Sequence, residues 1–418
     1  MGGQSHPRGR LRSAIGVVGV WAVTRAVFVL IYANVINAPV GNVFADVALY
    51  RRWTDALLDW QVPHDDPMWQ YPPGAAALFR SLRHVAGDPV GSYEITFFTL
   101  ALVADLLVLL TLLRLARGDG LLLGAGAWAV VVPLLNLLTY ARYDIFVTAA
   151  AVIALAAMLR RPVVAGAALG IGALIKVWPA VLLIAARPFG GLRPILTGFV
   201  VTLAALGGAL TLAFTGAWSG FTGNQADRGL QIESIGATPL VLARLGDRTI
   251  DVRYTYGAME FVDHPLVRPV AIGLPVLTVL GLGALGLWWL VSGRRRIWTG
   301  TFGFDVALLA LLTTVVTSRV FSPQYMLWLI GVAAVCLTRR DTTQRVASAL
   351  IMVATALTSA LFPWYYAQVS TDPDWPGTVL LVVRNVVVVA ALGTGFHALT
   401  RRARERTAGG SAVRLSPV

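Results

Sequence analysis

The chain has 418 residues, of which 57% are hydrophobic and only 13% charged, and its net charge is +13. A soluble domain carries about 25% charged residues, so that class is excluded, and the continuous apolar runs exclude a β-barrel, which needs short alternating segments. With no soluble basic domain to hold a nucleic acid, the surplus of Lys and Arg is expected in cytoplasmic loops.

In chain order, apolar runs predict spans at roughly 13–37, 92–113, 120–139, 143–159, 163–175, 177–186, 194–215, 267–292, 302–317, 323–338, 346–366 and 377–399. This gives an all-α polytopic bundle of about 11–12 spans, most of them near the length that crosses a bilayer. The first run is too long for a removable signal and reads as a retained anchor. The fifth and sixth runs form one stretch, "RRPVVAGAALGIGALIKVWPAVLLIAARPFGGLR", with basic residues at both ends. A single crossing would place one basic cluster outside. Two short helices broken at Lys176 and Pro179 place both clusters inside, which the positive-inside rule prefers.

With that break, Arg8, Arg10 and Arg12, Arg114 and Arg117, Arg160 and Arg161, Arg187 and Arg193, "GRRR" at 293–296, "TRRDTTQR" at 338–345 and "RRARER" at 401–406 share one side. Both termini are then cytoplasmic. The organisation expected is a basic segment 1–12, a transmembrane domain 13–399 with outer loops 38–91 and 216–266, and a basic tail 400–418.

The first outer loop contains "VFADVALYRRW" and "WQYPPGAAALF". The first reads as an interfacial amphipathic helix with Val47, Tyr50, Leu57 and Trp60 near one face. Pro72 and Pro73 end one segment and start a second helix. Asp46 sits at the root of this pair, either as a helix N-cap or as a functional carboxylate.

Lys176 lies inside an apolar segment, where an ionisable group is costly and points to function. Arg142 and Asp144 in "ARYD" either pair with each other or face a ligand. Arg319, followed by Gln324 and Tyr325, forms a further cluster. One carboxylate and several cations on one face, beside lipid, suit a lipid-linked phosphate substrate. The carboxylate would act as general base on a hydroxyl, and the cations would stabilise a phosphate leaving group. Cys336 is the sole cysteine and the five His are scattered, so neither a disulfide nor a metal site is expected.

The stretches "DVALY" at 46–50, "YPPGAAALF" at 71–79, "RYDIFVTAAAVIALAAMLRRPVVAGAALGIGALIKVWPAVLL" at 142–183 and "VFSPQYMLWLI" at 320–330 resemble glycosyltransferase family 87 of actinobacteria. These are GT-C enzymes that use polyprenol-phosphate sugars. The resemblance implies a GT-C bundle with juxtamembrane helices, an extracytoplasmic active site in the plasma membrane, and a catalytic acid residue in the first outer loop at the position of Asp46. In place of the family's Gly and aromatic pattern the chain has "DWQVPHDDPMW", which leaves Asp65 and Asp66 as competitors, with Asp144 a third.

The expected activity is inverting transfer of a sugar, mannose first and arabinofuranose second, from a polyprenyl-phosphate donor to a cell-envelope glycan or glycolipid. Lys176, Arg319 and Arg142 would hold the donor phosphate. Tyr50, Tyr71, Asp144, Gln324 and Tyr325 would line the substrate site. No cofactor, metal or nucleic acid is expected. The alternative is a transporter or flippase of lipid-linked sugars, which would use the same cations without a base.

Overall fold

The computed structural model describes residues 7–38, 43–118, 120–186, 191–293 and 302–413. Arg187, "RRR" at 294–296 and residues 1–6 of the basic N-terminal segment lie outside them.

The elements follow in chain order: α1 (Pro7–Tyr32), α2 (Ala45–Leu58), α3 (Pro73–Ala86), α4 (Val90–Leu115), α5 (Leu123–Val131, prolonged by a tighter helix to Tyr140), α6 (Asp144–Ala157) and α7 (Pro162–Ile175). A 3-10 segment Trp178–Ala186 precedes α8 (Leu192–Thr202), α9 (Gly208–Ala213) and α10 (Ala217–Asp227). Next come β1 (Leu230–Gln231), α11 (Thr238–Ala243), β2 (Val252–Thr255) and β3 (Ala258–Phe261). The chain continues with α12 (Val267–Gly293), α13 (Phe302–Val316), α14 (Tyr325–Leu337), α15 (Arg345–Ala360), α16 (Ala367–Ser370) and α17 (Trp375–Val413).

Among the described residues, seven helices are long and apolar enough to cross a membrane, and four shorter apolar helices, α6, α7, α13 and α14, accompany them. The protein is therefore an all-α multi-pass membrane protein. The short helices form the protein-lined interior: α13 and α14 are buried along almost their whole length, whereas α1 and α12 expose broad apolar faces to lipid. The bundle closes tightly where small residues meet. A Cβ on Gly166 of α7 or on Gly198 of α8 would collide with the facing backbone, so these helices cross at the distance only glycine permits.

The chain does break at Lys176. Helix α7 ends at Ile175, Lys176 is extended (φ −156°, ψ 128°), and Pro179 lies in the 3-10 segment that follows. Helices α2 and α3 form the expected pair between α1 and α4. Trp60, however, falls beyond the end of α2 and is largely exposed; Trp53 takes its expected place in the buried face with Val47, Tyr50 and Leu57. The stretch 216–266 is an ordered cap made of α10, α11 and a three-stranded antiparallel sheet of order β1-β3-β2, in which Gln231 faces Glu260 and Arg253 faces Glu260 from the other side.

A charged network inside the bundle ties α1 to its neighbours. The Asp105 carboxylate on α4 accepts from Arg25 Nε (2.7 Å), Trp21 Nε1 (3.1 Å), Trp128 Nε1 (2.6 Å) and the Tyr140 hydroxyl (2.7 Å). Arg25 also donates to the Ala129 carbonyl at 2.8 Å. A carboxylate in apolar surroundings is tolerable only with such complete pairing.

Candidate functional site

Asp46 is at the second position of α2. The capping position belongs to Phe44, with no side-chain capping hydrogen bond, so Asp46 is not an N-cap. Its carboxylate instead makes an ion pair with Arg142 (Nε to Oδ2, 2.9 Å) and remains 32% exposed to a cleft. Burial raises the Asp46 carboxyl above the ordinary carboxylate value, and the Arg142 charge opposes that rise. Behind it, Tyr50 is buried, stacked on Phe79 at 4.4 Å, and Tyr71 stands edge-on to Tyr143 at 5.3 Å. These rings fix the inner face of α2 and therefore the direction of Asp46.

Arg142 and Asp144, two residues apart, do not pair with each other. Arg142 turns to Asp46 and donates to the carbonyls of Val43 (2.8 Å) and Ala141 (2.9 Å), which anchors the start of α2. Asp144 turns to Lys176 (2.8 Å) and accepts from Trp328 Nε1 at 2.6 Å; its second oxygen is buried without a partner among the described residues. The Lys176 ammonium also sits over Tyr143, Trp328 and Tyr325 at 4.7, 4.9 and 5.4 Å from the ring centroids. This aromatic box favours a cation in a partly dry place. Gly74, in the "YPPG" turn into α3, explains why Lys176 stands there: its α-carbon lies so close to the end of α7 that a Cβ would come within 2.5 Å of the Leu174 carbonyl.

Asp46, Tyr50, Tyr71, Asp144, Lys176, Gln324 and Tyr325 line one cleft of about 650 Å³, open mouth included. Arg142 and Arg319 are outside its lining. Arg319 donates to the backbone carbonyls of Arg228 (3.1 Å) and Gln225, holding the last turn of α10 in place. Asp65 and Asp66 are also elsewhere: Asp66 accepts from Trp53 Nε1 (2.8 Å) and the Met68 amide (2.9 Å), and Asp65 is exposed beside His64.

Among the lining residues that the sequence did not single out, two polar ones hold the cleft together. Arg228, from "QADRG", is held by Glu260 (2.6 Å) and by Gln70 (2.8 Å), and its Nη2 has no hydrogen-bond partner among the described residues. Gln70, from "WQYPP", also donates to the Tyr256 carbonyl at 2.6 Å, tying the tip of the β2–β3 hairpin over the cleft. In the sequence Arg228 is one of many mixed charges in the longest polar stretch, next to Asp227; the acidic partner it finds, Glu260, is 32 residues away. The hairpin tip uses positive φ at Tyr256 (50°) and Gly257 (73°), which brings the chain back over the cleft.

Beyond Lys176 the cleft adjoins a second, mainly apolar groove of about 980 Å³, lined by Val177, Trp178, Val181, Phe221 and Val315. The two cavities share Lys176, Tyr143, Gln70, Gln225 and Tyr325. A polar chamber with ionised groups thus opens into an oily channel at one ammonium.

Residues 69–314 match the family model of glycosyltransferase family 87. The chain belongs to glycosyltransferase family 87. No curated protein matches it. Membership makes it a membrane glycosyltransferase and sets aside the transporter reading. The matched stretch covers Gln70, Asp144, Lys176 and Arg228; Asp46 precedes it and Gln324 and Tyr325 follow it.

The Lys176–Asp144 pair makes a prediction about stability. Lys176→Ala leaves a buried carboxylate without its countercharge, and breaking such a pair costs about 3–5 kcal/mol. Removing both charges with Lys176→Met and Asp144→Asn should restore much of that loss. Thermal unfolding of the parent, Lys176→Ala and the double variant in detergent checks it: a Lys176→Ala protein as stable as the parent would show that the pair is dispensable.

Proposed function

We propose that this glycosyltransferase transfers a sugar from a polyprenyl-phosphate donor to a hydroxyl of a cell-envelope glycan or glycolipid on the extracytoplasmic face, with mannose the first sugar to test and arabinofuranose the second. The observation that carries this reading is the junction of the Asp46 cleft with the apolar groove at Lys176. A donor with a long hydrocarbon tail, one phosphate and one sugar has the same order of chemistry.

In this reading Asp46 takes the proton of the acceptor hydroxyl. The acceptor oxygen forms a bond to the anomeric carbon as the bond from that carbon to the phosphate oxygen breaks. The phosphate leaves with the electron pair and is held by Lys176 and the Nη2 edge of Arg228. Arg142 keeps Asp46 ionised and aimed, and Arg319 positions Arg228 through the backbone; both were expected at the phosphate, and their carbonyl partners give them these supporting parts. Tyr50, Tyr71, Gln324 and Tyr325 shape the sugar site. Asp144, with one unpartnered oxygen, is the remaining candidate for the base.

Arg228→Gln tests the phosphate contact. A hydrogen bond to a charged group contributes about 1.5–3 kcal/mol, so kcat/KM for the lipid donor should fall roughly ten- to a hundredfold. Unchanged kinetics would remove Arg228 from the donor site.

The function is tested with the purified chain in proteoliposomes, supplied with polyprenyl-phosphate mannose or polyprenyl-phosphate arabinofuranose and a glycolipid acceptor. Transfer of label from one of these donors supports the reading. Transfer only from a nucleotide sugar refutes the lipid donor. Cysteines introduced at Asp65 and Arg401, both exposed, test sidedness in intact cells: an impermeant reagent should label the first and spare the second.

A further inference from the structure

The helices that carry the Asp46 cleft at one end carry a second cleft at the other. Helices α6 and α7 meet the first cleft at Asp144 and Lys176, and α14 meets it at Tyr325. Their opposite ends, with the end of α4, enclose a hollow of about 1590 Å³ including its open mouth. A 14-residue helix such as α6 separates the two clefts by about 20 Å at 1.5 Å per residue.

Five arginines converge on this hollow: Arg114 and Arg117 from the end of α4, Arg160 and Arg161 from the α6–α7 turn, and Arg339 from the end of α14. None of their side chains has an ion-pair or hydrogen-bond partner among the described residues. Asp119, two residues after Arg117 in the sequence, lies outside those residues. Elsewhere at this end basic side chains do find partners: Arg401 and Arg402 pair with Glu405. A sidedness signal alone needs basic residues on one side of the membrane; it does not need three helix ends to gather them around one cavity with no counter-charge among the described residues. The floor and walls are apolar, with Ile153, Ala156, Leu159 and Val164, and Leu159 and Val164 are exposed at the rim. An anion that brings its own hydrocarbon satisfies both parts of such a hollow. A free phosphate satisfies the arginines alone.

We propose that this hollow is a binding site for the headgroup of an anionic phospholipid, with its phosphate among the five guanidiniums and its first acyl carbons along α6 and α7. Basic pockets between membrane helices favour such headgroups, and each Arg near a charged surface contributes about fivefold in affinity. The bound lipid would brace the ends of α6, α7 and α14 that sit opposite Asp144, Lys176 and Tyr325. The site is independent of the sugar-transfer reading, because it uses none of the same residues.

The test uses the purified full chain in neutral detergent, with lipid binding followed by native mass spectrometry and by thermal unfolding. The probes are phosphatidylglycerol, phosphatidylcholine, inorganic phosphate and pyrophosphate. The triple variant Arg114→Gln, Arg160→Gln, Arg339→Gln should bind phosphatidylglycerol about a hundredfold more weakly than the parent. The control variant Arg401→Gln, Arg402→Gln, Arg404→Gln removes the same charge from the same end and should lose less than about fivefold. Arg160→Gln alone, at an exposed position, should lose about fivefold. The proposal is overturned if both triple variants lose affinity equally, if the cleft variant binds like the parent, if phosphatidylcholine binds as tightly as phosphatidylglycerol, or if inorganic phosphate or pyrophosphate binds as tightly as the lipid.

Discussion

Asp46→Asn should leave a folded protein that still binds the lipid donor but transfers sugar about 10²–10⁴-fold more slowly, the usual loss when a general base is removed. The substitution keeps the size of the side chain and its place in the first turn of α2. It takes away the charge that faces Arg142 and the ability to accept a proton. Since Asp46 makes no capping hydrogen bond, the change does not remove a helix cap. A large loss of rate with a small loss of stability is therefore the signature of chemistry at this position. The pH dependence sharpens the test. The ionised form is the base, so kcat falls as pH drops through the Asp46 value. Burial places that value above the ordinary carboxylate range, and the acid limb should lie correspondingly higher. In the Asn variant that limb should vanish. If Asp46→Asn turns over near the parent rate, the base is elsewhere, and Asp144→Asn becomes the decisive variant.

The second large effect is on folding. Arg25 and Asp105 are 3% and 0% exposed, and their ion pair sits among apolar helices. Asp105→Ala removes the countercharge of Arg25 and the acceptor for Trp21, Trp128 and Tyr140 in one step. Breaking a buried pair costs about 3–5 kcal/mol, and a lost acceptor for other donors adds to it. Against a typical total stability of about 5–15 kcal/mol, that is enough to abolish a monodisperse folded protein. Asp105→Asn, which keeps an acceptor oxygen, should be milder. The pair replacement Arg25→Met with Asp105→Leu should recover more than either single change, because it leaves no lone charge in the bundle. Detergent size-exclusion profiles and thermal unfolding measure each of these variants. A stable Asp105→Ala protein would mean that α1 is held by lipid and apolar packing alone.

Local features of this chain are legible in its sequence, and long-range pairings are not. The membrane class and the break at Lys176 could be read because each follows from a local rule: span length, and the side on which arginines gather. The start of α3 at Pro73 follows from proline's fixed φ. Asp46 stood out as a lone carboxylate at the root of an amphipathic helix. Pairings could not be read. Asp144 and Arg142 are near neighbours, yet their partners, Lys176 and Asp46, lie on other elements, 32 residues from Asp144 in one case. Arg319 looks like a free cation in "TSRVFSPQY", but its donors are taken by carbonyls that only the folded α10 supplies. Arg228 is one of several mixed charges in the longest polar stretch of the sequence, and only Glu260 and Gln70 fix it at the cleft. The Asp105 network was missed because its members come from α1, α4 and α5 and no sequence spacing links them.

The central claim is that one carboxylate activates the acceptor for a single displacement at the anomeric carbon. The most direct measurement is the configuration of that carbon in the first product, read by NMR as transfer proceeds from a donor of known configuration. A single displacement with Asp46 as base predicts inversion. Retention would contradict it, since it requires two successive displacements and a carboxylate that bonds covalently to the sugar.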